Sequence, residues 1–283
     1  MCFSWGWSLG FSILGSVLAA AALAFHKNPL LAVCVAYFTL MEILQCVQYA
    51  LVSPSLDDPQ CSDPGNVFFT WLGVTHIAFQ PFFITLFFKV IRPEYPSEAC
   101  AWKVIQRISL FSAAFWLARG ILAPEEMTPN QRFLMENSTD WLQGSKTCSY
   151  IPDNWSKHIS WSVKLHTPSY FLPNSFVHFF LCFFPVIALD FWTLPAVLLV
   201  VLTGPALSVI ITGNLHEQPA IWCLFSIAQI LLALSYEMVV VGQNWTPPNK
   251  ISPYSPDASD QPSRVPLLIV SMSKTKSEKA EKG

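Results

Sequence analysis

The sequence predicts an all-α integral membrane protein, a bundle of seven transmembrane helices (six on one reading), with its N-terminus outside and its C-terminus cytoplasmic. Three observations predict this. Of the 283 residues 53% are hydrophobic and 12% charged, about half the charged fraction of a soluble domain. The apolar residues gather into runs close to the length a bilayer demands, at about 8–25, 30–52, 67–90, 104–123, 171–190, 193–213 and 219–241. Lys and Arg are divided unevenly between the segments joining those runs. The formal net charge of −2 averages over compartments that never meet. The partner it leaves in view is the lipid bilayer, with room for a small-molecule or lipid ligand, and nucleic-acid binding has no support.

The first run is read as a retained helix, because Met1–Trp7 has no basic leading region and no small-residue cleavage site follows. Its Gly15-Ser-Val-Leu-Ala19 spacing suits close helix packing. The second run carries Glu42, Gln45 and Tyr49, which share one face at about 100° per residue. The third carries His76 and Gln80 at i, i+4, followed by Pro81, which removes a helical hydrogen bond. The fourth is the most polar; its Gln106, Arg107 and Arg119 stand near the ends, where long side chains snorkel. The fifth brings in Asn174 and His178, again at i, i+4. It nearly fuses with the sixth across Asp190-Phe-Trp-Thr-Leu-Pro195: a tight reversal there gives seven spans and a broken helix gives six. The sixth ends on Asn214, His216 and Glu217, and the seventh carries Ser226 and Gln229.

An outside N-terminus places Lys27, Lys89, Arg92, Lys103, Arg107 and the lysines of the tail on the cytoplasmic side. The short segment Ser53–Asn66 has three aspartates and no Lys or Arg, which suits the outside. The loop 124–170 then lies in the lumen or outside the cell and holds two glycosylation sequons, at Asn137 and Asn154. Cys61 and Cys148 face the same oxidising side and are candidates to pair. A third sequon at Asn244 falls on the cytoplasmic side, as a chance match. Residues 243–283, rich in Pro, Ser, Asp and Lys, read as a disordered cytoplasmic tail. Nothing chooses between the plasma membrane and an endomembrane.

This topology brings Glu42, Gln45, His76, Gln80, Asn174, His178, His216, Glu217 and Gln229 to the outer half of the bundle, the candidate polar site. Each residue has two readings. Gln and Asn between membrane helices are commonly glue, worth about 0.6–2 kcal/mol each, and a lone histidine is commonly a structural partner. A carboxylate in the middle of a span is different: Glu42 must be protonated, face water or hold a cation. Retinal is excluded, since its Schiff base needs a lysine in the interior of a helix and Lys89 stands at the end of the third run. The nucleophile elbow, the P-loop, the dinucleotide fingerprint and Cys-x-x-Cys are all absent.

Three function classes remain. One is an intramembrane lipid hydrolase with zinc on His76, His178 and His216 or a carboxylate, and a water activated by Glu42. The second is a proton-coupled transporter or channel in which Glu42, His76 and His178 titrate. The third is a non-catalytic scaffold or sensor. Seven helices with His and acidic residues in one leaflet resemble the alkaline ceramidase and progestin-receptor superfamily, which implies zinc. However, that superfamily's His-x-x-x-His is missing from this last helix.

A closer likeness is carried by Met41-Glu42-x-x-Gln45, Cys61-Ser62 with Asn66, His76-Ile77-x-x-Gln80-Pro81-Phe82, Gly204-Pro205, and Glu217-x-x-x-x-Trp222-Cys223-x-x-Ser226. Together these resemble a multi-pass membrane family of unknown function, up to about Gly242 without the long loop. The resemblance implies a shared bundle and no particular activity.

Overall fold

The computed structural model describes residues 5–24, 28–91, 98–123, 126, 128–130, 140–165, 174–189 and 193–236. The expectations for Asn137, for the Asp190–Trp192 reversal and for the tail 243–283 lie outside the described residues. Among the described residues seven helices carry the fold: α1 (Trp5–Ala24), α2 (Pro29–Gln48), α3 (Pro64–Ile91), α4 (Ala99–Ile121), α5 (Ser175–Leu189), α6 (Leu194–Ile211) and α7 (Gln218–Tyr236). Five of them, α1, α2, α3, α6 and α7, are long and apolar enough to cross a membrane. α5 has only 15 residues, about 22 Å at 1.5 Å per residue, short of a hydrocarbon core of about 30 Å.

The helix ends follow from local chemistry. Asn28 caps α2 by accepting from the Leu31 N–H at 3.0 Å, and Pro29 occupies the first turn, where its missing N–H removes nothing. Asp63 caps α3 in the same way, accepting from Gly65 at 2.8 Å. α2 stops at Gln48 and not at Val52, because Tyr49 and Ala50 turn the chain. Between α5 and α6 the Thr193 hydroxyl donates to the Val186 carbonyl at 3.5 Å. α6 is interrupted at Leu202–Ala206 by a turn of π-helix containing Gly204 and Pro205.

α7 is the central helix: two thirds (67%) of its apolar window is buried, against 22% for α1. α1 lies on the outside of α2 and α7. Its closest approach is at Gly15, where a Cβ would come within 2.2 Å of the Thr39 hydroxyl, so the small-residue spacing serves contact with α2. One apolar core joins α2, α3, α5, α6 and α7 through Phe38, Phe88, Phe183, Val197 and Ile227. The outward faces stay apolar, as at Phe176 and Ile210, which suits lipid.

Of the expected loop 124–170, the structure describes the segment 140–165. This segment folds into a cap with a two-stranded antiparallel sheet, β1 (Cys148–Tyr150) and β2 (Ser160–Ser162). Its Leu142, Ile159, Trp161 and Val163 are fully buried in a second core with Met41, Ile77 and Trp116. The fold is therefore helical with a small β cap. Alternating apolar residues drive the cap into the end of the bundle, while its backbone groups need partners there. Asn66 supplies them by imitating a strand: its amide donates to the Ser149 carbonyl and accepts the Ser149 N–H, both at 2.8 Å. Cys61 and Cys148 are disulfide-bonded, with their Cα atoms 5.0 Å apart.

Candidate functional site

The nine residues expected to share one site separate into three groups. The first is a hydrogen-bonded chain through the middle of the bundle. Ser8 of α1 donates to Gln45 Oε1 at 3.1 Å, and Gln45 Nε2 donates to the Ala220 carbonyl of α7 at 3.2 Å. Three residues on, Cys223 accepts from Gln80 Nε2 at 3.1 Å. Gln80 Oε1 in turn accepts from His178 Nε2 at 3.3 Å, so His178 carries its proton on Nε2. Trp141 and Trp222 stand edge-on to the His178 ring. α7 reads as the spine of this chain because Ala220 and Cys223 fall on one face.

Glu42 stands within this chain without joining it. It is completely buried, and neither carboxylate oxygen has a hydrogen-bond partner. Ser8 lies beside it but gives its hydroxyl to Gln45. Cys223 and Cys46 are within its electrostatic reach. Gln229 lies further along α7, where its Oε1 accepts from Trp222 Nε1 at 3.3 Å. Its Nε2 and the Ser226 hydroxyl have no partner.

His76 is apart from this chain. Its ring stacks on Tyr37 with centroids 4.0 Å apart, and the Tyr37 hydroxyl donates to the His76 backbone carbonyl. Phe83 covers the other face of Tyr37 at 3.7 Å. Asn174 leaves the site altogether: it caps α5, accepting from the Val177 N–H at 3.0 Å.

His216 and Glu217 belong to the cap and are not solvated at a membrane surface. Glu217 is fully buried and accepts from three groups: Asn154 Nδ2 at 2.7 Å, the Ser156 hydroxyl, and the His158 N–H at 3.1 Å. His158 is tied to Tyr49 by a 2.8 Å hydrogen bond at Nδ1. Its pKa is lowered to about 4 by burial, partly offset by the Ala220 carbonyl. His216 accepts from the Tyr150 hydroxyl at Nδ1 (2.9 Å) and donates from Nε2 to the Gln143 carbonyl (2.8 Å). Burial lowers its pKa as well, against the Gln143 contact.

Two expectations are corrected by this geometry. Among the described residues no three His, Cys, Asp or Glu side chains come together to hold a metal ion. His76, His178 and His216 answer to Tyr37, Gln80 and Tyr150 respectively, so they form no zinc set. At the glycosylation candidate Asn154, the amide nitrogen donates to the buried Glu217 carboxylate. Arg119, expected to snorkel, is 2% exposed and paired with Asp140 at 3.1 Å. Asp140 also takes the N–H and hydroxyl of Ser175 at the start of α5.

Sequence reasoning missed Ser8, Tyr37 and the cap residues Ser156 and His158 as partners. The available signal was a hydroxyl inside an apolar run, as with Ser8 in α1 and Tyr37 in α2. For the cap there was none, since its residues are assembled from distant segments.

The class this fold defines is a helical bundle in which five helices are long and apolar enough to cross a membrane. The chain belongs to a family of unknown function, DUF5765, whose family model matches residues 6–240. No curated protein and no solved structure matches it.

Proposed function

We propose that this protein is a seven-span membrane carrier that takes up and releases a proton at Glu42, with its N-terminus and β cap outside and its C-terminus in the cytoplasm. The observation that carries the reading is the carboxyl of Glu42, completely buried in the middle of α2 with both oxygens unpartnered. An ionised carboxylate buried without a partner costs several kcal/mol. A side chain placed so is kept neutral by a proton and becomes charged only when the bundle admits water or a cation. The neighbouring Ser8, Gln45, Cys223, Gln80 and His178 are neutral hydrogen-bonding groups. They are suited to passing a proton along and not to neutralising a fixed charge. The disulfide and the basic residues of the α3–α4 segment support the orientation.

The test is proton flux into liposomes holding the purified protein and a trapped pH indicator. The wild type should show pH-dependent flux, and Glu42→Gln should show none while its helix content and elution profile match the wild type. Equal flux from Glu42→Gln would sink the proposal. A variant whose only defect is lost stability would point instead to a scaffold.

A further inference from the structure

A second site lies on the side of Gln80 away from the cap, where α2, α3, α6 and α7 enclose a cavity of about 30 Å³. One water needs roughly 10–15 Å³ on the same measure of volume open to its centre, so the space suits one or two. Most of the wall is apolar, with Phe38, Phe87, Phe88 and Trp222 among its residues. Three polar side chains interrupt it: Gln80, Ser226 and Gln229.

Two of these three are unsatisfied. Ser226 is 5% exposed and Gln229 is 4% exposed, yet the Ser226 hydroxyl and Gln229 Nε2 have no hydrogen-bond partner. Leaving a buried polar group unpaired costs about 1–3 kcal/mol, and both groups line the same small space. Gln80, engaged by His178 and Cys223, still has one amide hydrogen and one lone pair to offer. That makes three polar partners, within the two to four that hold a buried water.

The facing wall is built to keep Gln229 there. A Cβ at Gly204 would come within 2.1 Å of Gln229 Nε2 and 2.6 Å of Trp222 Cδ1. Only glycine lets the π turn of α6 pack over this amide. Pro205, next in the turn, contributes no N–H to the helical ladder at this level. π turns inside helices are frequent at functional sites.

We infer that this cavity is a hydration site, holding one or two waters between Ser226, Gln229 and Gln80 beneath the π turn of α6. The waters tie α3 to α7 beneath the π turn of α6. They extend the hydrogen-bonded chain from His178 and Gln80 past Trp222 towards the end of the bundle opposite the cap. The inference stands on cavity and side chains alone and does not depend on proton uptake at Glu42.

Xenon separates a wet cavity from a dry one, because an apolar space of this kind takes up the gas and a hydrated one does not. In crystals of the wild type under xenon pressure, this position should show ordered water within hydrogen-bond distance of Ser226 and Gln229, and no xenon. The double variant Ser226→Ala/Gln229→Leu removes the unsatisfied groups and should turn the cavity into a xenon site. Xenon or an acyl chain in the wild-type cavity would overturn the inference. So would continued exclusion of xenon by a folded double variant. If that variant does not fold, the wild-type measurement decides alone.

Discussion

Replacing Glu217 with alanine is the sharpest probe of the cap. The side chain is fully buried and joins Asn154, Ser156 and the His158 backbone to the start of α7. Truncation leaves three donors without this acceptor. The buried His158 N–H is orphaned, at about 1–3 kcal/mol, while the Ser156 hydroxyl keeps Asn154 Oδ1 as an acceptor at 2.7 Å. Asn154 is half-buried beside a surface groove shared with Trp155 and Asn214, so water partly replaces its bond. The expected destabilisation of the cap is about 1–3 kcal/mol, or roughly five- to 140-fold in its opening equilibrium. Amide hydrogen exchange of β1 and β2 reads this directly: the two strands should lose protection by that factor while α2 and α3 keep theirs. Glu217→Gln, which retains one acceptor oxygen, should lose less. Unchanged protection in Glu217→Ala would refute the view that this carboxylate holds the cap, and equal loss throughout the bundle would refute the cap as a separate unit.

Three further outcomes are expected. The folded cap keeps His158 neutral down to a pKa of about 4, against 6.5 for a free side chain; the unfolded state therefore binds more protons between these values, and stability falls as pH drops from about 6.5 to 4, by up to about 1.4 kcal/mol per unit. Exchange of residues 140–165 measured across that range should quicken in the same window, with His216 adding in the same direction and a flat profile excluding the effect. Replacing Cys61 and Cys148 together by serine opens a link of sequence separation 87, worth at most about 4–5 kcal/mol of loop entropy; thermal unfolding in detergent should shift down, and less than that ceiling because Asn66 still holds Ser149. Gly204→Ala should destabilise the bundle by about 1–3 kcal/mol through overpacking against Gln229 and Trp222, visible in the same melts, whereas Gly10→Ala, whose Cβ would meet nothing within 4 Å, should have no such effect.

How far the site was legible depended on the range of each interaction. The Gln45 and Gln80 positions could be read from helical spacing, because i, i+4 periodicity is a local property. Rotation of one helix against another is not, and it decided that His76 turns to Tyr37 while His178 turns to Gln80. Asn174 was misread for a related reason: an asparagine just before an apolar run is a cap when the helix starts there, and the start at Ser175 was placed four residues too early. That Glu217 and His216 join the cap was not legible, because the segment that bonds them is more than fifty residues away in sequence.

The sequence by itself determined what is additive along the chain. Apolar runs, caps and prolines set the helices, and the carboxyl of Glu42 in the middle of α2 marked the position that matters most. Tertiary structure decided what depends on pairs. It folded the long polar loop into a cap, because the cap's apolar residues find a buried surface only once α2, α3 and α4 stand together. It dispersed the three histidines: His76 stacks on Tyr37, His178 bonds Gln80 and His216 bonds Tyr150. It left Glu42 alone among groups already bonded to one another, and that isolation arises only when the helices pack.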